Sequence, residues 1–218
     1  MNTGAYKELL NECEKKNVTL VAVSKTKPVE DILVLYNLGQ RDFGENYVQE
    51  LTEKYQQLPK DIRWHFIGHL QTNKVKQIIS FVELIHGVDS YKLLKEINKQ
   101  AQKINKITNC LLQIHIATEE TKFGLDEDEL NEIINKLNEL KNVNVCGLMG
   151  MASFTNDEQQ IRNEFHYLKS LFDKCNQLSI VNCQLSILSM GMTADYKVAI
   201  EEGSNLIRVG SLIFGSRN

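Results

Sequence analysis

The chain has 218 residues, 42% hydrophobic and 24% charged, with only two prolines, a balance that excludes disordered and fibrous classes and fits a soluble globular protein. Lys and Arg number 25 against 28 Asp and Glu, so the formal charge of −3 supplies no global basic field for nucleic acid or an anionic membrane. Apolar runs such as 20–23 and 111–116 stay far below the roughly 20 residues of a membrane span.

The first predicted element is an amphipathic helix at 5–16. Eight units of strand and helix then follow, with Val- and Ile-rich runs alternating with segments of 3.6-residue period. The pairs are 19–24 with 29–38, 42–43 with 47–58, 63–67 with 71–81 and 84–88 with 90–105. They continue as 109–116 with 126–140, 144–149 with 157–176 and 184–189 with 194–202, and a last strand at 206–209 leads into a short turn. No linker or charge discontinuity divides the chain. The expectation is therefore α/β: one (β/α)8 TIM-type barrel domain over 1–218, with the extra N-terminal helix covering the face left bare by the truncated last unit. Periodicity does not show closure, so an open doubly wound sheet is the structural rival.

Residues 1–8 lack a basic start, an apolar centre and a cleavage site, which predicts a cytoplasmic protein. Cys13, Cys110, Cys146, Cys175 and Cys183 form an odd set without a C-x-x-C pair, as expected of reduced, mostly buried thiols. The acidic run Asp126-Glu127-Asp128-Glu129 reads as a helix start favoured by the macrodipole. His65 and His69 are four apart, but 63–67 reads as a strand, which removes the helical geometry a metal pair would need, and no third ligand is evident. His86 and His115 read as satisfied histidines or polar groups at the mouth, and Lys99, Lys103 and Lys106 as an exposed helical side.

In a barrel the strands' C-terminal ends face the active-site mouth. Strand one ends Ser24-Lys25-Thr26-Lys27-Pro28, placing Lys25 there with a second cation at Lys27 and an apolar strand behind it. Like charge and desolvation both favour the neutral, nucleophilic amine that Schiff-base chemistry needs. Strand seven closes Ser189-Met190-Gly191 and strand eight Arg208-Val209-Gly210-Ser211, two glycine and hydroxyl turns where such barrels often bind phosphate. Arg208 stands between Ile207 and Val209 and needs an anion or acceptor if it is buried. An aldehyde anchor, phosphate donors and a partner for a pyridine nitrogen are together what a pyridoxal 5'-phosphate (PLP) site requires.

Motifs along nearly the whole chain also resemble one family: AVSKTKP at 22–28, FGENYVQE at 43–50, WHFIGHLQTNK at 64–74, TKFG at 121–124, GLMGM at 147–151, LSMGMTADY at 188–196 and IRVGSLIFGSR at 207–217. The chain is identified as similar to the pyridoxal phosphate homeostasis proteins, relatives of the N-terminal barrel of alanine racemase. The resemblance implies that Lys25 holds PLP as a Schiff base and that Arg208 faces the pyridine nitrogen. It places Ser189, Gly191, Gly210 and Ser211 at the phosphate, and Asn46, His65 and Met149 around the ring and its edge. Thr193, Ser211 and Gly150 depart from the commonest pattern, where serine, threonine and a less flexible residue are expected. A guanidinium does not readily give up a proton, so it leaves the ring a poor electron sink and favours holding the cofactor over carbanion chemistry.

The expected function is PLP homeostasis with little or no turnover: a monomer that buffers PLP or delivers it to PLP-dependent apo-enzymes, with no nucleic-acid or membrane partner. A racemase of low activity is the alternative. Racemisation needs a second base opposite Lys25, supplied in the racemases by a further C-terminal domain, whereas this sequence stops at Asn218. A phosphosugar barrel shares the phosphate turns without needing Lys25. Lys122, after strand five, is either an exposed lysine or a transient acceptor of the aldehyde, and Lys74 reads as a solvated side chain near a helix start.

Overall fold

The structure is a computed structural model that describes residues 1–119, 123–177 and 184–215. Eight parallel strands close on themselves in sequence order, β1 (Thr19–Val23), β2 (Asp42–Glu45), β3 (Arg63–Phe66), β4 (Leu84–Val88), β5 (Thr108–Gln113), β6 (Val143–Met149), β7 (Ile187–Ser189) and β8 (Leu206–Val209). β8 returns to β1 through the pairs Thr19 to Leu206 and Ala22 to Val209. Closure settles the choice against an open sheet, and it leaves no strand edge to template association.

Alternation along the strands divides the apolar residues into two layers. Leu20, Ala22, Phe43, Trp64, Phe66, Ile85, Leu112, Leu148 and Ile207 face outward and pack beneath the helices. Val21, Leu84, Leu111, Cys146, Met149 and Leu206 form a smaller cluster that fills the barrel interior. The helices are α1 (Thr3–Lys15), α2 (Val29–Asn37), α3 (Val48–Gln57), α4 (Val75–Ile78), α5 (Tyr91–Lys103), α6 (Glu127–Lys136), α7 (Glu158–Gln177), α8 (Tyr196–Glu201) and α9 (Ser211–Phe214). α1 meets α9 and β1, and the Asn2 amide donates to the Ile213 carbonyl at 2.7 Å, so the N-terminal helix covers the side of the short last unit.

The acidic run is structural: Asp126 Oδ1 accepts from the Glu129 amide at 2.8 Å while Glu129 Oε2 accepts from the Asp126 amide at 3.0 Å, a reciprocal cap on α6. Phe165, Leu168 and Leu171 of α7 are buried in the core. Cys13, Cys110, Cys146 and Cys175 are buried thiols, and burial pushes those of Cys13 and Cys146 up to about 11. Cys183 lies outside the described residues. No described helix is long and apolar enough to cross a membrane.

Some boundaries differ from the sequence reading, each for a physical reason. The helix expected over 71–81 is a 3-10 turn, Thr72–Lys74, running into the single turn of α4. Beyond it the carbonyls of Ile79 and Val82 accept from Lys106 Nζ at 3.1 and 2.9 Å. Lys106 is thus half-buried as a carbonyl cap, which corrects its reading as part of an exposed face. β7 begins at Ile187 rather than 184 because the Asn176 side chain takes both backbone groups of Leu185, at 2.9 and 3.0 Å.

Candidate functional site

A cavity of about 860 Å³ opens at the strands' C-terminal ends. Five expected residues line it together: Lys25 after β1, Asn46 after β2, Arg208 on β8, and Gly210 and Ser211 in the turn that follows. Residues 151–156 and 192–195 form much of the remaining wall, and Phe154, 96% exposed, stands on the rim. The expected His65, Met149, Ser189 and Gly191 are not in the wall, because they occupy the layer beneath it.

Arg208 is buried and held from three sides. One terminal nitrogen donates to the Ser189 carbonyl at 2.9 Å and the Ser189 hydroxyl at 2.5 Å, and the other to the Gly150 carbonyl at 3.0 Å. Three of five guanidinium donors are thereby used, and the others have no acceptor among the described residues. Burial lowers the Arg208 pKa to about 10 against the opposing charge of Asp195, so the group stays cationic at neutral pH.

Gly150 suits its place: a Cβ there would meet Ile116 Cδ1 and Leu168 Cδ2 at 2.8 Å each. Gly191 has φ +95°, and a Cβ would lie 2.6 Å from Ala199 Cβ, so it lets the turn pack on α8 while its carbonyl accepts from the Arg208 amide at 3.0 Å. Thr193 keeps the hydroxyl expected there, and its Oγ1 accepts from the Gly210 amide at 3.4 Å.

Below Arg208 a row of polar side chains crosses the barrel interior. His86 Nδ1 is 3.1 Å from Ser189 Oγ, His65 Nδ1 is 2.9 Å from His86 Nε2, and His65 Nε2 is 3.0 Å from Asp42 Oδ1. Burial, together with the charge of Arg208, holds His86 well below the usual imidazole range. Burial also pushes Asp42 up, but the hydrogen bonds from His65 and Arg63 and the Arg63 charge outweigh it and bring the carboxyl to about 2. His86 and His115 are satisfied, the latter by the Glu119 carbonyl at 3.0 Å, while His69 bonds Asp89 at 2.8 Å and stacks on Phe123.

The Lys25 turn has a support that the sequence reading missed. Thr26 has φ +64°, a left-handed conformation unfavourable for a β-branched residue. Its amide donates to Glu50 Oε1 at 2.6 Å. Lys54 Nζ donates to that same oxygen at 2.6 Å, to Glu45 Oε1 at 2.7 Å and to the Ser24 carbonyl at 2.8 Å. Ser24 Oγ completes the set by donating to Glu45 Oε1 at 2.6 Å. Burial pushes the Glu45 carboxyl up to about 7 against the adjacent Lys54 ammonium. A signal was available: Lys54 lies three residues after buried Leu51, on the inward stripe of α3. The far rim is fixed by buried Glu164, which accepts from the Ser153 amide and hydroxyl at 2.6 Å each.

The donor set fits an aromatic phosphate ester bearing an aldehyde: an amine, a desolvated guanidinium with donors to spare, hydroxyls at a glycine turn, and Asn46 Oδ1, a buried acceptor on the wall with no partner among the described residues. Lys122 lies outside the described residues.

The model of the alanine racemase N-terminal domain matches residues 5–218. The pyridoxal phosphate homeostasis protein of Aquifex aeolicus is 43% identical over 91% of this chain and 86% of its own length. Its namesake in Homo sapiens is 42% identical over 91% of this chain and 76% of its own. PipY of Synechococcus elongatus, solved with PLP bound, superposes with a TM-score of 0.85 at 32% identity, covering 95% of this chain and 99% of that one. An alanine racemase from Clostridium difficile shares the fold, with a TM-score of 0.77 at 18% identity over 97% of this chain and 55% of that one. By matches of this identity and coverage, the chain belongs to the pyridoxal phosphate homeostasis proteins, within the alanine racemase N-terminal domain family.

Proposed function

We propose that this protein binds PLP and serves its homeostasis, holding the cofactor and releasing it to PLP-dependent apo-enzymes rather than turning over a substrate. The observation that carries the reading is the convergence of Lys25, Asn46, Arg208, Gly210 and Ser211 on one cavity. PLP supplies an aldehyde, a phosphate and a pyridine ring when bound. Lys25 holds the aldehyde, Arg208 donates to the ring nitrogen, and Asn46 meets a ring substituent. The hydroxyls of Ser211 and Thr193, with the amides of the Gly210 turn, take the phosphate. Ser189, Gly191, His65 and Met149 act from below, by shaping the turn and holding Arg208.

A guanidinium pressed against carbonyl oxygens remains a cation and does not pass its proton to the ring, which disfavours carbanion chemistry. The whole chain acts as one barrel domain and works as a cytoplasmic monomer. Two assays on PLP-loaded protein test the reading. Activation of a PLP-dependent apo-enzyme, without α-hydrogen exchange of amino acids in D2O, is expected. Exchange at an enzyme-like rate favours a racemase, and loading without transfer refutes delivery.

A further inference from the structure

The polar row under Arg208 has a direction. Ionised Asp42 only accepts, so His65 presents Nε2–H to it at 3.0 Å. A neutral His65 then offers Nδ1 as an acceptor, and His86 donates to it from Nε2 at 2.9 Å. His86 Nδ1 is left as an acceptor and takes the hydroxyl proton of Ser189 at 3.1 Å. The Ser189 oxygen is thereby turned to accept from Arg208, which can only donate. With both imidazoles neutral, only one arrangement of protons satisfies every link. A cationic His65 would donate from both nitrogens, shift the His86 proton to Nδ1 and release the Ser189 hydroxyl proton from the row.

The row also spans the barrel. Asp42 opens β2 at the floor, where Arg63, first residue of β3, pairs with it, and Arg208 lines the cavity at the mouth. Such buried chains polarise one another, and a half-satisfied one is costly. We propose that Asp42 at the barrel floor fixes the tautomers of His65 and His86 and, through Ser189, orients the Arg208 guanidinium toward the cavity. The four are positioning residues for Arg208, and the assignment of Arg208 to the ring nitrogen rests on the function proposed above.

The test uses protein labelled with 15N in histidine and arginine side chains, first without PLP. Both buried histidines are expected to carry a proton on Nε2, as the geometry of the row requires. Asp42→Ala should average the tautomers of His86, two links away, and shift the Arg208 side-chain signals. Asp42→Asn, which keeps an oxygen acceptor, should restore the wild-type pattern. Ser189→Ala tests the direction independently if Asp42→Ala does not fold: it should move Arg208 while leaving the His65 and His86 tautomers in place. A His86 proton on Nδ1 in wild type, or His86 and Arg208 signals that ignore Asp42→Ala, overturns the proposal. PLP is then titrated by absorbance, with Asp42→Ala expected to bind roughly tenfold more weakly, the scale of one misdirected charged hydrogen bond. Normal PLP binding with unlinked histidine signals refutes the positioning row alone, whereas wild type that takes up no PLP refutes the cofactor reading alone.

Discussion

Replacing Lys54 by methionine keeps the apolar stem and removes the ammonium that ties Glu45, Glu50 and the Ser24 carbonyl together. Glu45 is fully buried, its Oε1 would keep only the Ser24 hydroxyl, and its Oε2 already lacks a partner among the described residues. Breaking a buried pair by deleting one member costs about 3–5 kcal/mol when the remaining charge is stranded. Glu45 can escape that cost by taking up a proton, because burial raises its carboxyl to about 7 even beside Lys54. The sign follows from linkage. A carboxyl whose folded pKa lies above its unfolded value contributes stability below the unfolded value and loses it as pH rises through the folded one.

In wild type that loss ends near pH 7, whereas in Lys54→Met, with the lowering cation gone, it continues to higher pH. The difference between the two proteins is therefore smallest below pH 7, about 1–2 kcal/mol for the lost hydrogen bonds. Above pH 7 it grows by up to about 1.4 kcal/mol per pH unit, to about 3 kcal/mol at pH 8. Urea unfolding at pH 6, 7 and 8 measures it, and Lys54→Met combined with Glu45→Gln should recover most of the loss at pH 8. A difference that is independent of pH, or a double variant no better than the single, would refute the reasoning.

Gly191→Ala meets both a positive φ of +95° and Ala199 Cβ at 2.6 Å, and is expected to lower stability by about 2–3 kcal/mol in a thermal melt and to weaken PLP binding by disturbing the turn beside Arg208. Asp126→Ala removes the cap of α6 and should cost about 1 kcal/mol by urea titration with no change in PLP uptake. Thr26→Gly relieves the left-handed strain at +64° but frees the unfolded chain, so stability should stay within about 1 kcal/mol of wild type, whereas Thr26→Pro, which cannot adopt that φ and removes the amide bonded to Glu50, should be much worse.

The strand count, the N-terminal helix and the positions of Lys25 and Arg208 could be read from sequence because they depend on local patterning: a period of two or 3.6, a polar residue just past an apolar run, a cation between two aliphatics. Glu45 shows where that logic fails. The second strand reads as 42–43 but runs through Glu45, since a charged residue breaks the apolar pattern while its burial is enabled by Lys54 from another element. The same applies to Lys106, whose partners are carbonyls more than 20 residues away in sequence. His65 is the subtler case. The motif places it near the site, and it is near, but two hydrogen bonds beneath Arg208's own partner rather than in the cavity wall. Motifs report membership in a site; only the register of β3 against β2 and β4 tells which layer of the barrel a side chain occupies.

The central claim is that Lys25 anchors PLP at the mouth of this barrel, and the most direct measurement is peptide mapping after borohydride reduction of protein mixed with PLP, in wild type and Lys25→Ala, with visible absorbance recorded beforehand. The account predicts a visible band in wild type that is absent from Lys25→Ala, and a pyridoxyl group fixed on Lys25. A wild-type protein with no band, or a label that settles on another lysine and survives Lys25→Ala, would contradict it.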